Sequence, residues 1–425
     1  MTLISSVIFL SITIVPFAQA LIISTPQVPN KLNIYQERAG QTVSSFEPKE
    51  FKPSPWFSNC HLQTIGGVFL RDIPDCSYVV DVGPTLLALG KWALLRPNPS
   101  SKEKYWDRRE RIATPDGDWF HVDHKECRGE SKGLMILIHG LEASSESPLS
   151  IDMAKAYSEI GLDVACINFR SCSGEPNDTV RFYHLGFTDD LLLYLDLVKD
   201  ENRPIYVSGF SLGGNVLLKA LGELKERAVE EFNIKGAAAF CAPLNDTGYK
   251  SMLLPGINRE IYAKNLLRSM QEKAKFKLDQ CCDGDPDTDK FDYRGSIAAK
   301  TIFDFENAYI APVYGFEDTI DYYKKTACIN YLQDIAVPTL ILNGADDPFF
   351  IEGKSDPTNA ADGNGGRAPI KIVESRNGGH CGFIFHQLDP EEQSIPTTSW
   401  GPSEMARFVS HVISAVDADA VRALG

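Results

Sequence analysis

The sequence predicts an α/β protein: a mostly parallel central sheet covered by helices on both faces, with a helical insertion over one edge. Three observations carry that prediction. From residue 134 onward, short apolar and β-branched runs alternate with segments of helical periodicity. Those runs are near-continuously apolar, as strands buried on both faces must be. Residues 248 to 330 then break the alternation with a charged, Tyr- and Phe-rich, mostly helical stretch.

Bulk properties exclude some functions. The chain has 425 residues, enough for one large domain with appendages. A formal charge of −15 and a pI near 5.1 argue against nucleic acid as a partner. Ten cysteines occur without any C-x-x-C pair, so neither a zinc site nor a disulfide framework is indicated. Cys166 and Cys241 fall in apolar strands and read as buried thiols. Cys281 and Cys282 form a vicinal pair whose state the sequence leaves open.

Taken in order, the chain begins with an uncharged apolar run at 3 to 24. Ala18-Gln19-Ala20 fits a small-x-small cleavage site, so residues 1–20 read as a secretory signal peptide or an uncleaved anchor. Either implies the secretory pathway or endoplasmic reticulum, with membrane association through this segment. Residues 21–107 read as an N-terminal extension, of which 25 to 58 looks like a linker because it is rich in Pro, Lys, Glu and Gln. Residues 108–247 and 331–425 read as the two parts of the core, separated by a lid insertion at 248–330.

A hairpin opens the sheet. Pro115-Asp116-Gly117-Asp118 is a turn between two strand-like runs, so the first strands pair antiparallel. Further strands are expected at 134–138, 163–168, 205–207, 236–241, 339–342 and 370–373. The sequons at Asn177 and Asn245 fall near these core elements.

The chemistry centres on 204 to 215, P-I-Y-V-S-G-F-S-L-G-G-N. A Ser between two glycines, on a turn from strand to helix, is a nucleophile elbow. It projects Ser211 Oγ above the sheet and sets the Leu212 N–H at a helix N-terminus, aimed at a developing oxyanion. A serine needs a base, and the base needs an orienting acid. Asp347 follows the strand at 339–342 and His380 follows the strand at 370–373, each on a loop. Asp346 is the reserve for the acid. A second oxyanion donor is expected from Leu141, after Ile138-His139-Gly140, with Gly140 allowing close approach and His139 bonding the loop. No metal or cofactor is implied.

These residues resemble the α/β-hydrolase branch that includes bacterial YheT-like esterases, plant embryogenesis-associated hydrolases, yeast medium-chain ethyl ester synthases and mammalian ABHD lipases. The resemblance runs from about residue 51 to 412. It is carried by N-x-H-L-Q-T-I at 59–65, H-G-L at 139–141, N-F-R-S-C-S-G-E-P-N at 168–177, Y-H-L-G-F-T-D-D at 183–190, G-F-S-L-G-G-N at 209–215, D-D-P at 346–348 and G-G-H-C-G-F at 378–383. It implies the α/β-hydrolase fold and the same nucleophile, acid and base on Ser211, Asp347 and His380. Cys60, Ser171 and Phe187 depart from the usual residues, away from the triad. The family's H-x-x-x-x-D pattern, which has been read as an acyltransferase signature, falls on His184 and Asp189; a hydrogen-bonded helix cap is the preferred reading here.

The expected activity is hydrolysis of lipid or medium-chain acyl esters. An alcohol acyltransferase or ester synthase using the same triad is the alternative, because the two differ in how well the site excludes water. Aromatics of the insertion (Phe291, Tyr293, Phe303, Phe305, Tyr309, Tyr314, Phe316, Tyr322 and Tyr323) are expected to divide between the insertion's own core and an apolar pocket above Ser211.

Overall fold

A computed structural model describes residues 31–69, 104–245, 252–350, 368–386 and 399–424. The apolar run at 3 to 24, and with it the expected signal or anchor, lies outside them. None of the described helices is long and apolar enough to cross a membrane.

Eight strands form one sheet: β1 (Arg108–Ala113), β2 (Trp119–Lys125), β3 (Leu134–Ile138), β4 (Asp163–Asn168), β5 (Ile205–Phe210), β6 (Ile234–Phe240), β7 (Thr339–Gly344) and β8 (Ile370–Ser375). Their spatial order is β1-β2-β4-β3-β5-β6-β7-β8. The hairpin turn is made by Gly117 at φ 77°, and β1–β2 and β2–β4 pair antiparallel. All later pairings are parallel. Strands β3, β5 and β7 are buried along their whole length, which accounts for their unbroken apolar runs.

Strand order reverses around β3, which lies between β4 and β5. In open α/β sheets the crevice outside the strand ends at such a reversal is where ligands bind. The loop after β3 and the turn after β5 both open there.

Two apolar layers sandwich the sheet. One contains α1 (Lys31–Ser45), α3 (Pro148–Glu159) and α11 (Trp400–Leu424), through Val43, Met153, Tyr157, Phe408 and Val412. The other contains α4 (Asp189–Val198) and α5 (Leu212–Leu224). It continues into α6 (Lys264–Cys281), α7 (Tyr293–Ala298), α8 (Ile302–Ala308), α9 (Ile310–Tyr314) and α10 (Thr319–Thr326), all between β6 and β7. Thr301 and Asp304 form a capping box at the start of α8, and Asp318 caps α10, so these short helices have satisfied N-termini.

Of the stretch read as a linker, the described residues 31 to 58 are instead packed on the core. Phe46 meets Phe408 edge-on at 5.1 Å. Phe51 lies 5.0 Å from Phe383 and 5.1 Å from Trp400. Each buried aromatic contributes on the order of 1.5–3 kcal/mol. The Ser54 N–H donates to the Phe385 carbonyl at 2.9 Å. A few well-placed rings hold this segment, and its average composition conceals them. A second helix, α2 (Cys60–Phe69), follows and runs beside the loop that carries His380.

Candidate active site

The elbow is built by close backbone contacts. Ser211 sits at φ 53°, ψ −126°, a left-handed conformation that L-residues avoid. Its own N–H donates to the Phe240 carbonyl of β6 at 2.8 Å, which ties the turn to the sheet. A Cβ on Gly209 would fall 2.4 Å from the Gly213 carbonyl oxygen. One on Gly213 would fall 2.4 Å from the Ile138 and His139 carbonyl oxygens. The two glycines flanking the serine are therefore steric requirements of the turn.

Ser211, His380 and Asp347 come together although they are far apart in sequence. Ser211 Oγ lies 2.9 Å from His380 Nε2, and His380 Nδ1 lies 2.7 Å from Asp347 Oδ2. A carboxylate only accepts, so Nδ1 carries a proton, and in the neutral imidazole Nε2 accepts from the serine hydroxyl. The other Asp347 oxygen accepts the Phe349 N–H at 2.8 Å. Burial pushes the His380 pKa down, but the neighbouring Asp347 and Cys381 outweigh it and hold it well above an ordinary histidine. Phe349 stacks on the imidazole at 4.1 Å.

Asp346 faces elsewhere. Its Oδ1 accepts the Gly379 N–H at 2.9 Å, so it braces the loop and does not touch the imidazole. The sequence could not separate these adjacent acids, because the choice depends on which one turns inward.

His139 is fully buried. Its Nδ1 donates to the Gly140 carbonyl at 2.8 Å and its Nε2 accepts the Phe169 N–H at 3.1 Å. Burial lowers its pKa to about 4, so it is a neutral tie in the loop. Gly140 packs against the elbow, where a Cβ would stand 2.9 Å from Ser211 Cβ. Leu141 and Leu212 both line the cavity above Ser211.

His184 and Asp189 take a different arrangement from the expected cap. His184 Nδ1 accepts the Gly186 N–H at 3.1 Å, and the ring lies among Tyr314, Phe316 and Tyr322. Burial lowers its pKa to about 3. Asp189 is exposed in the first turn of α4 and pairs with Arg181 at 3.6 Å, and no side chain caps that helix. Asn177 is fully buried, its amide donating to Asp118 and the Arg181 carbonyl, so its sequon is closed to a glycan in the folded chain. None of the described cysteines forms a disulfide, Cys281 and Cys282 included.

Ser211 and His380 open into a cavity of about 750 Å³ with a mainly apolar wall. Of the nine aromatics named above, Phe303, Tyr322 and Tyr323 line it, and Tyr262 of the insertion joins them. Inside the insertion Tyr309 stacks on Phe305 at 5.6 Å and meets Phe291 at a tilt at 4.3 Å. Leu253, Ile261 and Leu266 complete much of the wall.

Several site residues had no role readable from spacing, although Thr64 falls within the N-x-H-L-Q-T-I motif at 59–65. Thr64 of α2 accepts the His380 N–H at 2.9 Å. Glu306 lies in the cavity wall, where burial raises its pKa to about 8 and Tyr323 donates to it at 2.5 Å. Cys241 Sγ accepts the Cys381 N–H at 3.2 Å directly behind His380.

The alpha/beta hydrolase fold model matches residues 133–387. The chain is 28% identical over 340 residues to YheT of Escherichia coli, a candidate esterase by name, covering 79% of this chain and 87% of that one. It is 27% identical to human phospholipase ABHD3, over 68% and 70% of the two chains. It is 25% identical to medium-chain fatty acid ethyl ester synthase/esterase 2 of Saccharomyces cerevisiae, over 73% and 71%.

Proposed function

Because the chain belongs to the alpha/beta hydrolase fold family, we propose that it is a serine hydrolase of lipid or medium-chain acyl esters. The observation that carries this reading is the hydrogen-bonded line Ser211–His380–Asp347 at the floor of an apolar cavity.

Ser211 Oγ attacks the ester carbonyl as His380 Nε2 takes its proton, and Asp347 holds the resulting imidazolium. The Leu141 and Leu212 N–H groups stabilise the oxyanion, since both residues face the cavity beside Ser211. His380 then returns the proton to the departing alcohol. Water, activated by His380, releases the acid from Ser211. Relatives named phospholipase and ester synthase/esterase support an acyl ester as substrate.

A second reading has support from the yeast relative, whose name carries synthesis as well as hydrolysis. In it an alcohol replaces water at the acyl-enzyme, and the same residues serve.

The test is p-nitrophenyl ester turnover by the purified chain and by Ser211→Ala. The alanine form should lose fluorophosphonate labelling and lower turnover by several orders of magnitude. Each methylene buried contributes up to about 0.8 kcal/mol, so kcat/KM for octanoate should exceed that for acetate at least about tenfold. A flat or falling series contradicts the lipid-ester reading. Added ethanol separates the two reactions: ethyl ester accumulating at the expense of free acid favours the synthase.

A further inference from the structure

The residue after Leu141 is held in an unusual way. Glu142 adopts φ 55°, although it is not glycine. Its N–H donates to Tyr183 Oη at 2.7 Å, and that hydroxyl donates back to Glu142 Oε1 at 2.7 Å. Two side chains of α6 complete the clamp. Lys273 Nζ donates to Glu142 Oε1 at 2.8 Å, and Ser269 Oγ donates to Oε2.

The clamp is buried and charged. The Glu142 side chain is 8% exposed and that of Lys273 is 17%. Burial raises the Glu142 pKa, but Lys273, Ser269 and Tyr183 overcome it and hold the carboxylate ionised. Lys273 Nζ also reaches Cys172 Sγ at 3.2 Å and lies over the Tyr183 ring at 5.2 Å. Tyr183 in turn stacks on Phe169, whose N–H is held by His139. A buried ion pair is a weak source of stability, because desolvation consumes most of its attraction. What it supplies is a defined position.

That position bears on the reaction. Gly140 is fixed on one side of Leu141, through its carbonyl, by the His139 ring and the Ala143 N–H. Glu142 is fixed on the other. The Leu141 peptide is thus suspended between two anchored neighbours, and one of those anchors belongs to the insertion between β6 and β7.

We propose that Glu142 is a positioning residue: with Lys273 and Ser269 of the insertion and with Tyr183, it aims the Leu141 N–H at the oxyanion. This rests on the serine-hydrolase reading above. It adds that docking of the insertion, through α6, sets the geometry of the oxyanion loop.

The experiment uses the full chain with Glu142→Gln, Lys273→Met and Tyr183→Phe, each measured on p-nitrophenyl octanoate. Complete loss of an oxyanion donor costs about 10²–10³ in kcat. Misaiming one should cost about tenfold or more, in kcat and not in KM. A trifluoromethyl ketone with an octyl chain gives the second readout. Ser211 Oγ adds to its carbonyl carbon, the serine proton passes to His380, and the ketone oxygen becomes the oxyanion. Its affinity should fall by the same factor as kcat/KM, and Glu142→Gln with Lys273→Met together should lose less than the product of their separate losses.

Folded Glu142→Gln and Lys273→Met proteins with unchanged kcat overturn the inference. So do losses confined to KM or melting temperature with ketone affinity intact. If Glu142→Gln fails to fold, Tyr183→Phe, which removes only a hydroxyl, decides by the same criteria. Ser211→Ala separates the two levels. An inactive alanine form beside a fully active Glu142→Gln sinks the positioning role alone, whereas an active alanine form sinks the serine mechanism beneath it.

Discussion

The Thr64 hydroxyl accepts the backbone N–H of His380 at 2.9 Å and itself donates to the Cys60 carbonyl at 2.8 Å. A residue of α2, well before the first strand, thereby holds the loop of the catalytic base in our reading. Thr64→Val keeps the shape and removes both bonds. Leaving a buried N–H without a partner costs about 1–3 kcal/mol. We expect a melting temperature lower by several degrees and a kcat reduced about tenfold, with Thr64→Ser near wild type. Valine and serine forms with equal kcat would mean the hydroxyl is dispensable.

The two adjacent acids should behave differently with pH. Protonated His380 cannot accept a proton, so kcat/KM rises with pH through its folded pKa. Asp347 is the larger of the groups holding that pKa up. Asp347→Asn should therefore shift the acid limb to lower pH while the plateau falls by about 10³–10⁴. An asparagine at 346 still accepts the Gly379 N–H through its amide oxygen, so Asp346→Asn should leave the limb in place. pH–rate profiles of both variants are the measurement, and matching shifts would reassign the acid.

Gly140→Ala tests the contact between the two loops. The added methyl would lie 2.9 Å from Ser211 Cβ and 3.3 Å from the Phe210 ring. Gly140 is not in the left-handed region, so the effect is one of space. A displacement near 1 Å at a nucleophile can cost about 100-fold. The rate of fluorophosphonate labelling should drop by that order while the fold survives in circular dichroism. Wild-type labelling would place the methyl in room that the contact denies it.

Glu306→Gln tests the acid in the cavity wall. Burial lifts the Glu306 pKa to about 8, so the folded chain keeps a proton that the unfolded chain sheds in the ordinary glutamate range. Stability therefore falls as pH rises from that range to about 8. Glutamine does not titrate and can still accept from Tyr323. The variant should match wild type near pH 5 and exceed it above pH 8, by up to a few kcal/mol at about 1.4 kcal/mol per pKa unit. Parallel melting curves across that range would show that Glu306 is not held neutral.

Strand positions were legible in the sequence because burial on both faces forces unbroken apolar runs, as in Leu134–Ile138. The elbow was legible because a left-handed Ser211 between strand and helix requires its glycines at fixed offsets. The α/β class, the Ser–acid–His order and the loops holding Asp347 and His380 follow from such local constraints. Other features left no local trace of what they would meet. Residues 31–58 are sparse in apolar side chains, and only docking shows that Phe46 and Phe51 reach the core. Which of Asp346 and Asp347 meets His380 depends on how one turn is rotated. Thr64 and Glu142 acquire their partners across 316 and 131 residues of chain. A hydrogen bond between such distant groups leaves no periodicity or spacing to read, because it is created by the approach of elements that pack for other reasons.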